Sequence, residues 1–330
     1  MQYISNKPHI MIIATGGTIA GKMNKTDSTT TNYTSGIYTI DTLLSSIPQI
    51  HSLAHIHTTQ LCNIDSADMS DDIWLSLARC VNKTLSNTLY NAVIITHGTD
   101  TMEESAFFLH LVCKSHKPII FTGAMRAFDS IDWDGGKNLY SALLLAIHRD
   151  SQKRGVMLCM NDRILSARYA SKIHTSSLES FASPCDLGYI ANGAVNFHAS
   201  CGVLHQPMFD TEMIESLPRV DILYSYANDG SSIAAKALFS NGTQGLVIAG
   251  SGAGSVHEVH KQTLQSLIKQ GLCVVISSRI NQGSVYISEV DSQNGFISSG
   301  DLNPQKARVL LTLALTQSNN PLQIATFFYT

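Results

Sequence analysis

Short apolar runs that feed glycine-containing turns and then helical periodicity recur along this chain, and that recurrence restricts the fold more than any other feature. Runs at residues 10–14, 92–96, 118–122, 155–160 and 246–249 are apolar without a polar alternate position, the pattern of parallel strands covered on both faces. Stretches at 72–85, 102–113, 138–147, 256–269 and 304–316 have helical spacing. The alternation predicts an α/β fold with a doubly wound, mixed or parallel sheet. In the second helix Met102, Ala106, Leu109 and Val112/Cys113 share one face, and Thr101 and Glu104 have the spacing of a capping box.

A chain of 330 residues exceeds the usual size of one domain, ~100 to 200 residues. The alternation lapses near residues 199–219, where Gln206-Pro207 and Leu217-Pro218 interrupt the chain before a strand restarts at Val220. We therefore expect a larger N-terminal α/β domain over 1–200, a linker over 201–219 and a smaller C-terminal α/β domain with a parallel sheet over 220–330. The Thr/Ser-rich segment 26–35 is expected to be a mobile loop.

Composition narrows the function. The formal net charge is −3, and 22 Lys and Arg are scattered among 25 Asp and Glu, so no basic surface is expected for nucleic acid. No apolar run approaches the ~18 residues that would span a membrane. The seven cysteines lack CxxC spacing and several lie in apolar runs such as Val156-Met157-Leu158-Cys159-Met160, so most are expected to be buried free thiols. The N-terminus, Met1 to Pro8, has no charged region leading into an apolar one. These features lead us to expect a cytoplasmic protein, or a periplasmic one whose leader was removed.

Two strand ends carry chemistry. Ile13-Ala-Thr-Gly-Gly-Thr18-Ile-Ala-Gly21 is a strand running into a glycine turn, at the edge where open α/β sheets bind ligands. There a threonine hydroxyl can attack a carbonyl while main-chain N–H groups hold the oxyanion; a tight turn without chemistry has the same outline. Gly16-x4-Gly21-Lys22 approaches a phosphate-binding loop but is followed by Met23, where that loop needs a hydroxyl for Mg²⁺. The second strand end, Val93-Ile-Ile-Thr-His-Gly-Thr99-Asp100-Thr101, places a hydroxyl beside a carboxylate at a helix start. Simple capping by Asp100 and Thr101 is the plainer alternative.

Ala14-Thr-Gly-Gly-Thr-Ile-Ala-Gly21 and Ile95-Thr-His-Gly-Thr-Asp-Thr-Met-Glu-Glu104 resemble the two signature stretches of bacterial-type L-asparaginases, most closely the type II members. The likeness continues through Asn63-Ile-Asp-Ser-Ala-Asp-Met69, Thr122-Gly-Ala-Met-Arg126, Ser277-Ser-Arg279 and Leu302-Asn-Pro-Gln-Lys-Ala-Arg-Val-Leu310. It implies hydrolysis of L-asparagine to L-aspartate and ammonia through a β-acyl-enzyme, with no metal or cofactor. It also implies a homotetramer of intimate dimers in which the neighbour's C-terminal domain completes each active site. By position Thr18 corresponds to the nucleophile and Tyr33 to the tyrosine against it, while Thr99, Asp100 and Lys172 form a second hydroxyl, carboxylate and amine set that polarises water. Asp100 and the neighbour's Glu289 would meet the substrate ammonium, Ser66 and nearby N–H groups its α-carboxylate, and the Ala124 carbonyl the leaving amide. The N–H groups of Thr18 and Thr99 would form the oxyanion hole.

The chain departs from the family pattern at three places. Asp65-Ser66-Ala67 stands where many relatives have Gly-Ser-Gln, which removes an amide ligand for the ammonium and adds a charge, so weaker binding of asparagine is expected unless Asp65 turns away or itself takes over the contact to the substrate ammonium. Ser255 replaces the usual asparagine contributed by the neighbour, which should shift the balance between asparagine and glutamine. The stretch carrying Glu289 aligns only with one residue deleted upstream. Gly250-Ser-Gly-Ala-Gly-Ser255 departs from a dinucleotide fingerprint at its last position, and His257 and His260 are three apart rather than four, so neither nucleotide nor zinc is expected. These histidines, with His51, His55 and His57, are expected to be solvated.

Overall fold

The computed structural model describes residues 7–24, 33–199 and 208–329. Residues 1–6, most of the expected 26–35 loop, residues 201–207 of the expected linker and Cys201 lie outside them. The chain divides into two compact units, Met1–Glu212 and Met213–Thr330.

The strands of the first unit are β1 (His9–Gly16), β2 (Lys22–Met23), β3 (Tyr33–Thr34), β4 (His55–Ile64), β5 (Tyr90–Thr96), β6 (Ile119–Thr122), β7 (Val156–Met160), β8 (Arg163–Ser166), β9 (Ser171–Lys172), β10 (Phe181–Ala182), β11 (Gly188–Ala191) and β12 (Ala194–Phe197). Its helices are α1 (Ile40–Ser45), α2 (Asp71–Ser86), α3 (Met102–Val112) and α4 (Gly135–Ile147). Eight strands form one sheet in the order β12-β11-β8-β7-β6-β5-β1-β4. The five from β7 to β4 are parallel, and β8, β11 and β12 add an antiparallel wing.

β5, β6 and β7 are buried almost throughout, which explains their unbroken apolar runs. α2 is amphipathic: Trp74, Leu75, Leu77, Ala78, Val81 and Leu85 are buried. Ser70 caps its start by accepting from Ile73 N, and Asp71 and Asp72 in the first turn suit the helix dipole. α3 is buried on nearly every side, so the single apolar face expected from its spacing understates its environment. The expected capping box is not formed by Thr101, whose side chain makes no cap bond and instead donates to the Ser66 carbonyl at 2.7 Å.

The second unit holds β13 (Val220–Tyr224), β14 (Gly245–Gly250), β15 (Cys273–Ser278) and β16 (Phe296–Ser298), all parallel and in that spatial order. Its helices are α5 (Ser231–Ser240), α6 (Glu258–Ile268), α7 (Glu289–Gln293), α8 (Pro304–Ala314) and α9 (Pro321–Phe328). Leu246, Ile248, Leu264, Leu272, Val274 and Phe296 belong to its core. No helix among the described residues is long and apolar enough to cross a membrane.

Among the described cysteines Cys113, Cys159 and Cys273 are buried free thiols and Cys62 and Cys80 half-buried ones, whereas Cys185 is disulfide-bonded. His260 corrects the expectation of solvated histidines. It is fully buried with its Nδ1 3.6 Å from Asp229, and burial holds its pKa below the ordinary value. His57 is half-buried and lies 3.0 Å from the His9 ring nitrogen.

Candidate active site

The parallel register places the reactive segments at one sheet edge. Ala14 pairs with Thr96, Thr96 with Thr122, and Gly16 with Ile64, so β1, β5, β6 and β4 end level with one another. The residues that follow them, Gly17-Thr18, His97 to Asp100, Gly123-Ala124 and Asp65-Ser66, therefore leave the sheet side by side.

Glycine is required where these loops touch. Gly16 and Gly17 have φ of 103° and 80°, a region that side chains disfavour. A Cβ on Gly16 would lie 2.5 Å from the Ile64 backbone, and one on Gly17 2.3 Å from the backbone of Gly98. The first loop is thus pressed against both the end of β4 and the second loop, and Gly17 N donates to the Ile64 carbonyl at 2.8 Å.

The turn delivers Thr18 into a short 3-10 helix, Thr18–Ala20, where it is 6% exposed. Its hydroxyl lies 2.7 Å from that of Tyr33. Tyr33 is carried by β3, which pairs antiparallel with β2 so that Met23 faces Tyr33. Because Lys22 and Met23 continue as a strand rather than a helix, the segment does not form a phosphate-binding loop.

A second cluster forms on the next loop. Lys172 Nζ donates to Thr99 Oγ1 at 2.9 Å and to Asp100 Oδ1 at 2.5 Å. The Lys172 side chain is only 16% exposed, far from the ordinary surface lysine that spacing alone describes. One oxygen of the largely exposed Asp100 carboxylate accepts from this amine, while the Asp100 backbone N–H donates to Ser66 Oγ at 3.2 Å. Ser66 is buried and ties β4 to α3 through both this bond and the one from Thr101 to its carbonyl.

Asp65 is engaged locally. One carboxylate oxygen accepts from Ala67 N at 3.1 Å and the other from the Ser35 hydroxyl at 2.7 Å. Ala67 is exposed. We expect Ala67→Gln to restore an amide ligand and to raise kcat/KM for asparagine about 2- to 10-fold, the effect of one hydrogen bond; steady-state ammonia release measures it, and no gain refutes the expectation.

Supporting residues complete the site, and spacing did not single them out. Asp134 accepts from the N–H groups of Met125 and Arg126 at 3.0 Å each, and Asn138 Nδ2 donates to the Gly123 carbonyl at 3.0 Å. Together they fix the turn that carries Ala124, which is buried. Burial raises the Asp134 pKa, opposed by these hydrogen bonds. Glu103, buried in the first turn of α3, accepts from the Ser171 hydroxyl at 2.7 Å and so anchors the strand that presents Lys172. The signal for the Ala124 support was present as Asp134 and Asn138, polar residues opening an otherwise apolar helix.

In the second unit Ser255 is exposed and closes a tight turn with Ser251, its N–H donating to the Ser251 carbonyl at 2.7 Å. A Cβ on Gly250 would lie 2.5 Å from the Gly254 backbone, so the glycines pack on each other before α6 begins at Glu258. Glu289 is exposed as the first residue of α7, which Ser288 caps.

Residues 9–201 match the family model of the asparaginase N-terminal domain, and residues 219–328 match that of the glutaminase/asparaginase C-terminal domain. The chain belongs to the asparaginase family. It is 43% identical over 327 residues to L-asparaginase 2 of Escherichia coli strain K12, covering 97% of this chain and 92% of that one. It is 37% identical to a glutaminase-asparaginase of Pseudomonas aeruginosa, covering 99% of this chain and 91% of the other. A crystal structure of a probable cytoplasmic L-asparaginase from Campylobacter jejuni superposes with a TM-score of 0.95 at 50% identity, over 98% of this chain and 99% of that one.

One buried group in this asparaginase-family site titrates within reach of experiment. His97 is fully buried, and burial lowers its pKa from 6.5 to about 4. Above pH 6.5 the ring is neutral in both folded and unfolded chains; as pH falls from 6.5 to 4 the unfolded chain takes a proton that the native one refuses. Stability should fall by roughly 3 kcal/mol across that window. Denaturant titrations at successive pH values measure the slope, and an equal slope in His97→Asn would refute the assignment.

Proposed function

We propose that the chain hydrolyses the side-chain amide of L-asparagine through an acyl-enzyme on Thr18. The observation that carries this reading is the Thr18–Tyr33 hydroxyl pair at 2.7 Å, beside a second hydroxyl held by an amine, Thr99–Lys172 at 2.9 Å. A threonine hydroxyl needs an activating partner before it can attack a carbonyl, and each hydroxyl has one.

In the first step Thr18 Oγ1 forms a bond to the amide carbon, Tyr33 relays the proton toward the nitrogen, and the C–N bond breaks to release ammonia. The N–H groups of Thr18 and Thr99 hold the oxyanion. In the second step a water polarised by Thr99 and Lys172 attacks the acyl carbon, the Thr18–acyl bond breaks to give aspartate, and the proton lost by the water restores the Thr18 hydroxyl. Asp100 receives the substrate ammonium, Ser66 donates to the α-carboxylate, and the Ala124 carbonyl accepts from the amide NH₂. No metal or cofactor takes part.

Ser255 and Glu289 of a neighbouring subunit complete the pocket in a homotetramer built from intimate dimers. Cytoplasmic residence accords with the five free cysteines among the described residues; the Cys185 disulfide is the feature that favours an oxidising compartment instead.

Ammonia release from asparagine and glutamine, with mass analysis of the acylated Thr18 peptide after acid quenching, tests the reading. No release from asparagine would end it. A broader glutaminase-asparaginase is the second reading, and Ser255 in place of asparagine bears on that balance, since a hydroxyl offers fewer hydrogen bonds than an amide. Ser255→Asn is expected to change the asparagine-to-glutamine ratio of kcat/KM, and an unchanged ratio would exclude Ser255 as a selectivity residue.

A further inference from the structure

His97 lies between the strand end of β5 and the Thr99-Asp100 pair, yet it touches neither Thr18 nor Lys172 by any hydrogen bond among the described residues. Its ring is fully buried, with Nδ1 2.7 Å from the Gly98 carbonyl and Nε2 without a hydrogen-bond partner among the described residues. A carbonyl only accepts, so Nδ1 carries the proton and the ring is the neutral Nδ1–H tautomer. This arrangement is costly. A buried ring nitrogen left unpaired loses the hydrogen bonds it had in water, and a leucine of similar size would avoid that loss.

What the ring does is hold one peptide plane. The Gly98 carbonyl and the Thr99 N–H belong to the same planar trans peptide and point in opposite directions. Fixing the carbonyl toward His97 fixes the Thr99 N–H away from it. Gly98 cannot readily shift, since a Cβ there would lie 2.6 Å from Ser66 Oγ and 3.2 Å from Gly17 Cα. The next amide, Asp100 N–H, is already committed to Ser66 Oγ. The Thr99 N–H has no hydrogen-bond partner among the described residues, as a donor reserved for a ligand oxygen would.

We infer that His97 is a positioning residue for this reaction: by donating Nδ1–H to the Gly98 carbonyl, it aims and polarises the Gly98–Thr99 peptide so that the Thr99 N–H meets the oxyanion. The inference rests on the acyl-transfer reading above. The bond also draws electron density toward the carbonyl oxygen, which makes the N–H at the other end of the peptide a better donor. The effect belongs to the transition state, where negative charge develops, and not to the bound ground state.

Substitution of His97 by asparagine or by glutamine separates the role from simple packing. In H97N the side-chain amide would reach the place of Nδ1, whereas in H97Q it would reach that of Nε2. The experiment measures kcat and KM for L-asparagine, together with Kd for the product L-aspartate, in wild type, H97N, H97Q and H97L. The expected result is a kcat about 10- to 100-fold lower in H97L and H97Q, with KM and the aspartate Kd within about twofold of wild type, and H97N within about threefold of wild-type kcat. If H97L does not fold, the contrast between H97N and H97Q decides. Equal kcat in those two variants, or losses that appear in KM and the aspartate Kd rather than kcat, would overturn the inference. Thr18→Ala is assayed alongside: an active Thr18→Ala refutes the acyl-enzyme reading itself, whereas an inactive one beside unimpaired His97 variants refutes only the role of His97.

Discussion

Thr18→Ala is expected to lower kcat/KM for L-asparagine by on the order of 10⁴-fold or more while leaving the fold intact. The alanine keeps Cβ but removes the hydroxyl that lies 2.7 Å from Tyr33. Thr18 sits in a 3-10 turn fixed by backbone bonds, Ala20 N to the Gly17 carbonyl and Gly21 N to the Thr18 carbonyl, neither of which uses its side chain. The unfolding temperature should therefore move by only a few degrees. Thr18→Ser separates the hydroxyl from the methyl group. Serine keeps the nucleophile but frees χ1, which the β-branched side chain restricts, and a loss of about tenfold is expected. Coupled ammonia detection with active-site titration measures both variants, and a Thr18→Ala enzyme that turns over at the wild-type rate would remove Thr18 from the mechanism.

The strand-end logic explains why Thr18, Thr99 and Asp100 were legible in the sequence and others were not. An apolar run followed by glycine and hydroxyls marks a parallel strand end, and the register aligns Ala14, Thr96 and Thr122 at one edge. Tyr33 and Lys172 carry no such mark. Lys172 sits on a two-residue strand and meets Thr99 across 73 positions of sequence, so its role came from family resemblance, not spacing. His97 lay inside a recognised motif, but its task depends on burial and on which nitrogen meets the Gly98 carbonyl, neither of which a sequence displays.

The fold divides along similar lines. β1, β5, β6 and β7 are interior strands whose burial imposes apolar runs. β4 is an edge strand, largely half-buried and populated by His55, His57, Thr58, Thr59 and Gln60, so its periodicity is weak. The antiparallel wing is made of four-residue strands. Its tight turns have positive φ at Asn161 and Asp162 and at Asn192 and Gly193, a local hairpin chemistry that apolar periodicity does not detect. β15 is as buried as β14, but Ser277 and Ser278 blur the end of its run.

Lys172→Met is expected to lower kcat by about 10²- to 10⁴-fold, the range for loss of a positioned acid or base, and to do so mainly in the second half of the reaction. The methionine approximates the length of the side chain without its amine. Thr99 Oγ1 then loses the group 2.9 Å away, and the Asp100 carboxylate loses its cation. If this cluster polarises the water that attacks the acyl-enzyme, Thr18 can still expel ammonia once. Rapid quenching should then give a burst of ammonia equal to the enzyme concentration, followed by slow aspartate formation, and the acylated Thr18 peptide should accumulate. Lys172→Arg should not rescue the rate, because a planar guanidinium on a longer stem does not fit where one compact ammonium donates to both Thr99 Oγ1 and Asp100 Oδ1. Glu103→Gln gives a milder test of the same cluster, since it weakens the anchor on Ser171 without touching the amine. A Lys172→Met enzyme that loses activity with no ammonia burst would place the Thr99–Lys172 pair in the first step, and would reverse the order of the two hydroxyls proposed above.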